Sequence, residues 1–132
     1  MSEDAPGEAI IRNPSDPSHF MALKPVKGRV RIRRGGAVLA QSDAALWVIE
    51  IGRSVLDPVV YAPRADLRVA LIRGPRASHC PLKGDASYFG LAGGPEDIAW
   101  AYETPLPFAH KLAPYVAFHP SQATIEISGA EA

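Results

Sequence analysis

Proline and glycine interrupt this chain too often for long helices to form. Its 132 residues hold 13 prolines and 11 glycines, and a proline within a helix removes a backbone hydrogen bond and clashes with the preceding turn. Between these breaks, Val30 and Ile32 alternate with Arg29, Arg31 and Arg33, the period of a half-buried strand. Gly35-Gly36 then turns the chain, and Val38 to Ala40 returns as a hairpin partner. Ala44 to Glu50 reads either as a helical turn capped by Ser42 or Asp43 or as a buried strand; Trp47 and the pair Val48-Ile49 favour the strand. Val59-Val60-Tyr61 is a short strand stopped by Pro63, and Leu67, Val69 and Leu71 share one face of another that Gly74-Pro75 ends.

Asp85 to Leu91 and Ile98 to Tyr102 are read as hairpin partners across Gly93-Gly94-Pro95, Phe108 to Leu112 as a single helical turn, and Tyr115–Phe118 and Ala123–Ile127 as the last strands. About eight or nine short strands at this spacing predict an all-β fold of two antiparallel sheets, a sandwich or partly open barrel. Residues 1–25 carry Pro6, Pro14, Pro17 and Pro25 among serines and acids, which predicts an extended, loop-like arm before a single β domain over 26–132. His19-Phe20-Met21 is an apolar patch in that arm, suited to docking on the domain.

Fourteen basic residues balance fourteen acidic ones, which removes the electrostatic argument for a nucleic-acid or membrane-surface partner. One cysteine forms no internal disulfide and cannot complete a four-ligand zinc site of two or more cysteines. No metal or cofactor is therefore expected, and the expected compartment is reducing. The N-terminus, Met1-Ser2-Glu3-Asp4, is unlike a signal peptide, and no apolar run approaches the roughly 20 residues of a membrane helix. A cytoplasmic domain is the expectation.

The densest chemistry lies in His79-Cys80-Pro81-Leu82-Lys83-Gly84. A thiol attacks as thiolate, favoured beside a cation. In extended chain His79 and Cys80 point to opposite faces, whereas a turn through Pro81-Leu82 brings Lys83 round, and Gly84 leaves a backbone N–H free for an oxyanion or phosphate. Cys80 is then a nucleophile, a pocket-lining group or a small buried hydrophobe. Arg64 and Asp66 either pair at the surface or hold a polar ligand. Trp100 and Tyr102 share a strand face, which Tyr88 joins if it pairs opposite; such a cluster is either core or an aromatic platform. His110 and His119 lack metal-ligand spacing. Arg29, Arg31 and Arg33 form either a solvated face that blunts an edge strand or an anion-holding stripe.

Six blocks in this order resemble the bacterial and fungal family called domain of unknown function 427. They are Val30-Arg31-Ile32 with Gly35-Gly36; Ser42 with Ala45-Leu46 and Glu50; Val60 to Asp66; His79 to Tyr88; Ala99 to Tyr102; and Tyr115 to Phe118. The chain differs from the family pattern at Leu82, Phe89 and His119. The resemblance implies a β-tent-like fold, two antiparallel sheets leaning together, as in methionine sulfoxide reductase B. Relatives of that fold often hold zinc through paired Cys-x-x-Cys motifs, which this chain lacks. The family's short name is nucleotidyltransferase-like, and a fold alone transfers no activity.

Three functions follow as expectations. The first is a module that binds an unidentified small polar or anionic molecule through Tyr61, Arg64, Asp66, Gly84, Tyr88 and Trp100, around Cys80 and Lys83. The second is a thiol enzyme of transfer or hydrolysis, with Cys80 as nucleophile, Lys83 as its cation and His79 as acid/base. The third is an interaction domain whose arginine strand or sheet edges meet a partner or a second copy in a homodimer.

Overall fold

The computed structural model describes residues 9–52, 54 and 56–129. Its strands are β1 (Ala9–Asn13), β2 (Asp16–Pro25), β3 (Arg29–Arg34), β4 (Ala37–Ser42), β5 (Leu46–Ile51), β6 (Val59–Pro63), β7 (Ile72–Cys80), β8 (Gly84–Gly90), β9 (Ala99–Ala101), β10 (Tyr115–Phe118) and β11 (Thr124–Ser128). Eight of them make one antiparallel sheet in the order β1-β2-β5-β6-β10-β9-β8-β7, and β11-β3-β4 make a second. The only helical pieces among the described residues are short 3-10 turns at Arg64–Asp66 and Pro107–Leu112. The fold is all-β, as the punctuation requires, and no described helix is long and apolar enough to cross a membrane.

Alternation along the strands explains the layering. One face of the large sheet presents Val60, Ala62, Phe89, Ala99, Ala101, Val116 and Phe118 to Val30, Ile32 and Leu39 of the small sheet. Residues of the opposite parity, Met21, Leu23, Leu46, Val48, Tyr61, Ala86 and Ala117, build a second core on the other face. Ala109 and Leu112 of the Pro107–Leu112 turn and Leu82 of the β7–β8 turn complete that core. Because both faces are covered, runs such as Tyr115-Val116-Ala117-Phe118 are apolar throughout rather than alternating.

Four expectations are corrected. Ala9 to Pro25 is extended but is no loose arm: β1 and β2 pair with each other, β2 pairs with β5, and Met21 and Leu23 are at most 1% exposed. Pro14 and Ser15 serve as the turn between them, and Pro17 sits beside the break in register at Arg12/Asn13, so neither proline interrupts a ladder. Residues 1–8 of the expected arm lie outside the described residues. Second, the strand expected over Leu67 to Ile72 is replaced by irregular chain holding one bridge, Leu67 to Ala40, although Leu67, Val69 and Leu71 do pack together on the core between the sheets.

Third, Gly74-Pro75 ends nothing. It lies inside β7, where the register with β8 shifts between Arg73 and Ala77. β7 is an edge strand, and a bulge on an edge is where a strand tolerates proline. Fourth, β3 is the central strand of its sheet, so its arginines blunt no edge. Arg29 forks onto Asp43 at 2.9 and 3.0 Å, Arg31 donates to Gln41 at 3.1 Å, and Arg33 donates to Glu126 at 3.0 Å. The stripe is a solvated face with cross-strand partners.

Candidate functional site

The His79–Gly84 segment is the tip of the β7–β8 hairpin. Cys80 pairs with Gly84 in the last rung, leaving Pro81, Leu82 and Lys83 as the turn. Gly84 has φ +113 and bridges to Pro105, and the Leu106 N–H donates to the Lys83 carbonyl at 2.9 Å. These bonds fold the tip inward, so Leu82 is wholly buried and Lys83 only 6% exposed.

An ammonium carried inside must find a counter-charge, because desolvating an unpaired ion costs several kcal/mol (roughly) even after relaxation. Lys83 Nζ donates to Glu50 Oε1, and the other carboxylate oxygen, Oε2, accepts from His19 Nε2 at 2.8 Å. The Tyr102 ring centre lies 5.7 Å from Nζ. Burial alone would raise the Glu50 carboxyl, but the hydrogen bonds from His19 and Lys83 outweigh it and hold the group below its ordinary range. Glu50 belongs to β5 and His19 to β2, third and second in the sheet, while the turn lies between the two strands at the far end. The large sheet therefore curls until its two ends are pinned by one Lys–Glu–His bridge, without β1 and β7 becoming neighbours.

The Glu50 and His19 end of that bridge lines a polar cleft of about 560 Å³, together with Asn13, Asp16, Ser18 and Pro81. Behind the bridge lie Tyr61, Tyr102 and Cys80, packed in the same core. Burial pushes both tyrosine hydroxyls above their usual range; Tyr102 and Glu50 add to this at Tyr61, and Cys80, Tyr88 and Glu50 at Tyr102. Tyr61 accepts a hydrogen bond from Trp100 Nε1 at 3.1 Å, which opposes the rise. Both phenols therefore stay protonated across the ordinary pH range.

The residues expected to form one site divide between the two faces of the large sheet. Cys80, Lys83, Tyr61, Tyr88 and Trp100 share the face bearing the bridge, and Tyr88 pairs opposite Trp100. Tyr88 shares a hydrogen bond with Ser78 at 2.9 Å and carries the Arg76 guanidinium over its ring at 4.5 Å. Trp100 also packs against His119, with centroids 4.5 Å apart. Arg64 is on the other face, stacked on Phe89 at 5.0 Å and bonded to Glu103 at 2.8 Å, and Arg73 lies over the same ring at 5.1 Å and donates to the same carboxylate at 2.6 Å. Asp66 accepts from Ser42 Oγ at 2.5 Å, so the expected Arg64–Asp66 pair does not form. Gly84 supports the turn through its backbone. His110 is exposed and bonds the Pro107 carbonyl at 3.2 Å.

Within the expected thiol trio, His79 turns away from Cys80 and bonds the exposed Asp85 carboxylate at 2.8 Å. The charge of Lys83 is matched by Glu50. Cys80 is half-buried among apolar neighbours. Iodoacetamide should accordingly alkylate the folded protein at least ~10-fold more slowly than the urea-unfolded chain at the same pH. Equal rates would mean an open thiol and return Cys80 to the front.

His19 and Glu50 belong to the site although neither was expected there. Both had a signal: Glu50 has the parity of inward-facing Leu46 and Val48, and His19 that of Met21 and Leu23. A charged group at a core position asks for a buried partner. Among the described residues no three His, Cys, Asp or Glu side chains cluster as metal ligands.

A family model described as a domain of unknown function (DUF427) matches residues 22–129, from within β2 to just beyond β11. The span includes Glu50 and the whole β7–β8 turn and leaves His19 outside. A search of curated proteins returns no match.

Proposed function

The chain belongs to the domain of unknown function 427 family, and from the site that its curled sheet builds we propose that it binds a small polar molecule in the cleft above Glu50 and His19. The Lys83–Glu50–His19 bridge, buried at Lys83 and partly buried at Glu50 and His19, carries this reading. A buried ion pair is often no more stabilising than an apolar packing of the same volume. Its placement at the floor of a cleft of ligand size gives it a purpose beyond folding. Fixed in position by two bonds, the carboxylate presents a polar floor that needs no reordering when a ligand arrives, and a preorganised group binds with less entropic cost. Asn13, Asp16 and Ser18 surround it with further polar groups, and Pro81 and Leu56 supply apolar contact.

The test is a thermal-shift screen with nucleosides, sugars and polyols against the wild type and Ser18→Trp. Ser18 is exposed at the cleft wall, so tryptophan there obstructs the cleft and leaves the bridge alone. A genuine ligand at a hundredfold excess over its Kd stabilises by about 2.7 kcal/mol. That gain should appear in the wild type and vanish in the variant. No stabilising compound in any class, or a gain that persists in Ser18→Trp, overturns the proposal.

A further inference from the structure

The two sheets part at one end, leaving a second groove unrelated to the bridge. It measures about 490 Å³ and is bounded by Lys24, Val26, Lys27, Trp47, Ile49 and Ile127. Trp47 and Ile49 alternate with Leu46, Val48 and Glu50 and so face the small sheet, away from the polar cleft. Ile127 comes from β11 of the small sheet and is 38% exposed, one of few large apolar side chains left in water. The groove is therefore a wedge between the layers with an apolar floor. Both its charged members are lysines, and among the described residues neither has a carboxylate within ion-pair distance.

By contrast, Arg29 and Arg33 are paired with Asp43 and Glu126, and Arg64 and Arg73 close on Glu103. A lysine pair left over an apolar wedge matches a ligand with an apolar body and an anionic end: the body buries against Trp47, Ile49 and Ile127, and the charge stays at the rim where ammonium groups are hydrated and mobile. We propose that this groove is a second binding site, and that it takes an amphipathic carboxylate, an alkyl or aryl chain ending in one carboxyl group.

Two tryptophans on opposite faces of the large sheet make the test specific. Decanoate below its micelle-forming concentration would be titrated into the full-length, nitrogen-labelled protein while the two indole N–H signals are followed, assigned with Trp47→Phe. The Trp47 signal should shift saturably, with the Trp100 signal fixed in place. Lys24→Glu/Lys27→Glu, both exposed positions, should weaken the binding by roughly five- to tenfold, and decanol should bind more weakly than decanoate. An unchanged Trp100 signal in that variant certifies its fold. No Trp47 response at millimolar decanoate, a response at Trp100 instead, or equal binding of decanol and decanoate to both proteins overturns the proposal.

Discussion

Replacing Lys83 with methionine should cost about 3–5 kcal/mol of folding stability, because it strips the counter-charge from a carboxylate that is only 14% exposed. Glu50 would keep only His19, and the inward-folded turn would lose the contact that holds it across the curl of the sheet. For a domain whose whole stability is expected to be about 5–15 kcal/mol, that is a large share, read as a fall in Tm of roughly 10–20 °C. Glu50→Gln should also destabilise, leaving the ammonium unpaired. The double variant Glu50→Leu/Lys83→Met should recover most of the loss, since two apolar side chains in contact need no partner. Lys27→Met, an exposed control, should stay within about 0.5 kcal/mol of the wild type. Urea denaturation of the wild type and the four variants measures this. A loss under about 1 kcal/mol in Lys83→Met would show the bridge to be solvated rather than buried.

The same carboxylate sets the acid limb. Its folded value lies below the ordinary carboxyl value of 4.5, so the unfolded chain binds a proton more readily. The stability it contributes is thus complete above that ordinary value and drains as pH falls through the lower folded one. Glu103 adds to this limb: burial works to raise its carboxyl, but the bonds from Arg73 and Arg64 outweigh burial and lower it. The difference between wild type and Glu50→Gln isolates the bridge, and it should shrink as the pH is taken below 4.5.

What the sequence disclosed follows from how local each feature is. The all-β class was legible because Gly and Pro act within a few residues. The β8–β9 hairpin was legible from its Gly93-Gly94-Pro95 turn, whereas the Tyr88–Trp100 pairing stayed conditional until the register was seen. The β1–β2 hairpin was obscured by its prolines, although His19, Met21 and Leu23 alternate as a strand should. Proline there means turn and bulge rather than loop, and only the partner strand decides which. Pro75 repeats the lesson, since an edge position cannot be told from a central one without the sheet order. For Lys83 only the turn was legible, because its partner Glu50 is 33 residues away in sequence and belongs to a strand that meets the turn only when the whole sheet curls. Parity marked Glu50 as inward-facing. No spacing rule could say what it faced.

Gly84→Ala should be nearly as damaging as loss of the lysine, by about 2–5 kcal/mol, because backbone strain and crowding act together there. At φ +113 the backbone is in a region that side chains rarely adopt, and a Cβ would sit 3.0 Å from the Leu106 nitrogen and 3.2 Å from Pro105 Cα. Those neighbours are main chain and cannot swing away. They are also the atoms that fold the tip inward, through the Gly84–Pro105 bridge and the Leu106–Lys83 hydrogen bond. Moving them moves the Lys83 ammonium off Glu50, so the damage should spread from the turn to the cleft. Three readouts should therefore change in step: urea stability falls, Cys80 alkylation quickens, and any ligand found for the cleft binds less tightly. Gly36→Ala is the matched control, because a Cβ there meets nothing within 4 Å. If Gly84→Ala stays within about 0.5 kcal/mol of the wild type, the level of an ordinary surface change, the turn is not clamped by Pro105 and Leu106. If it loses stability while alkylation and ligand binding hold, then the clamp is real but does not position Lys83.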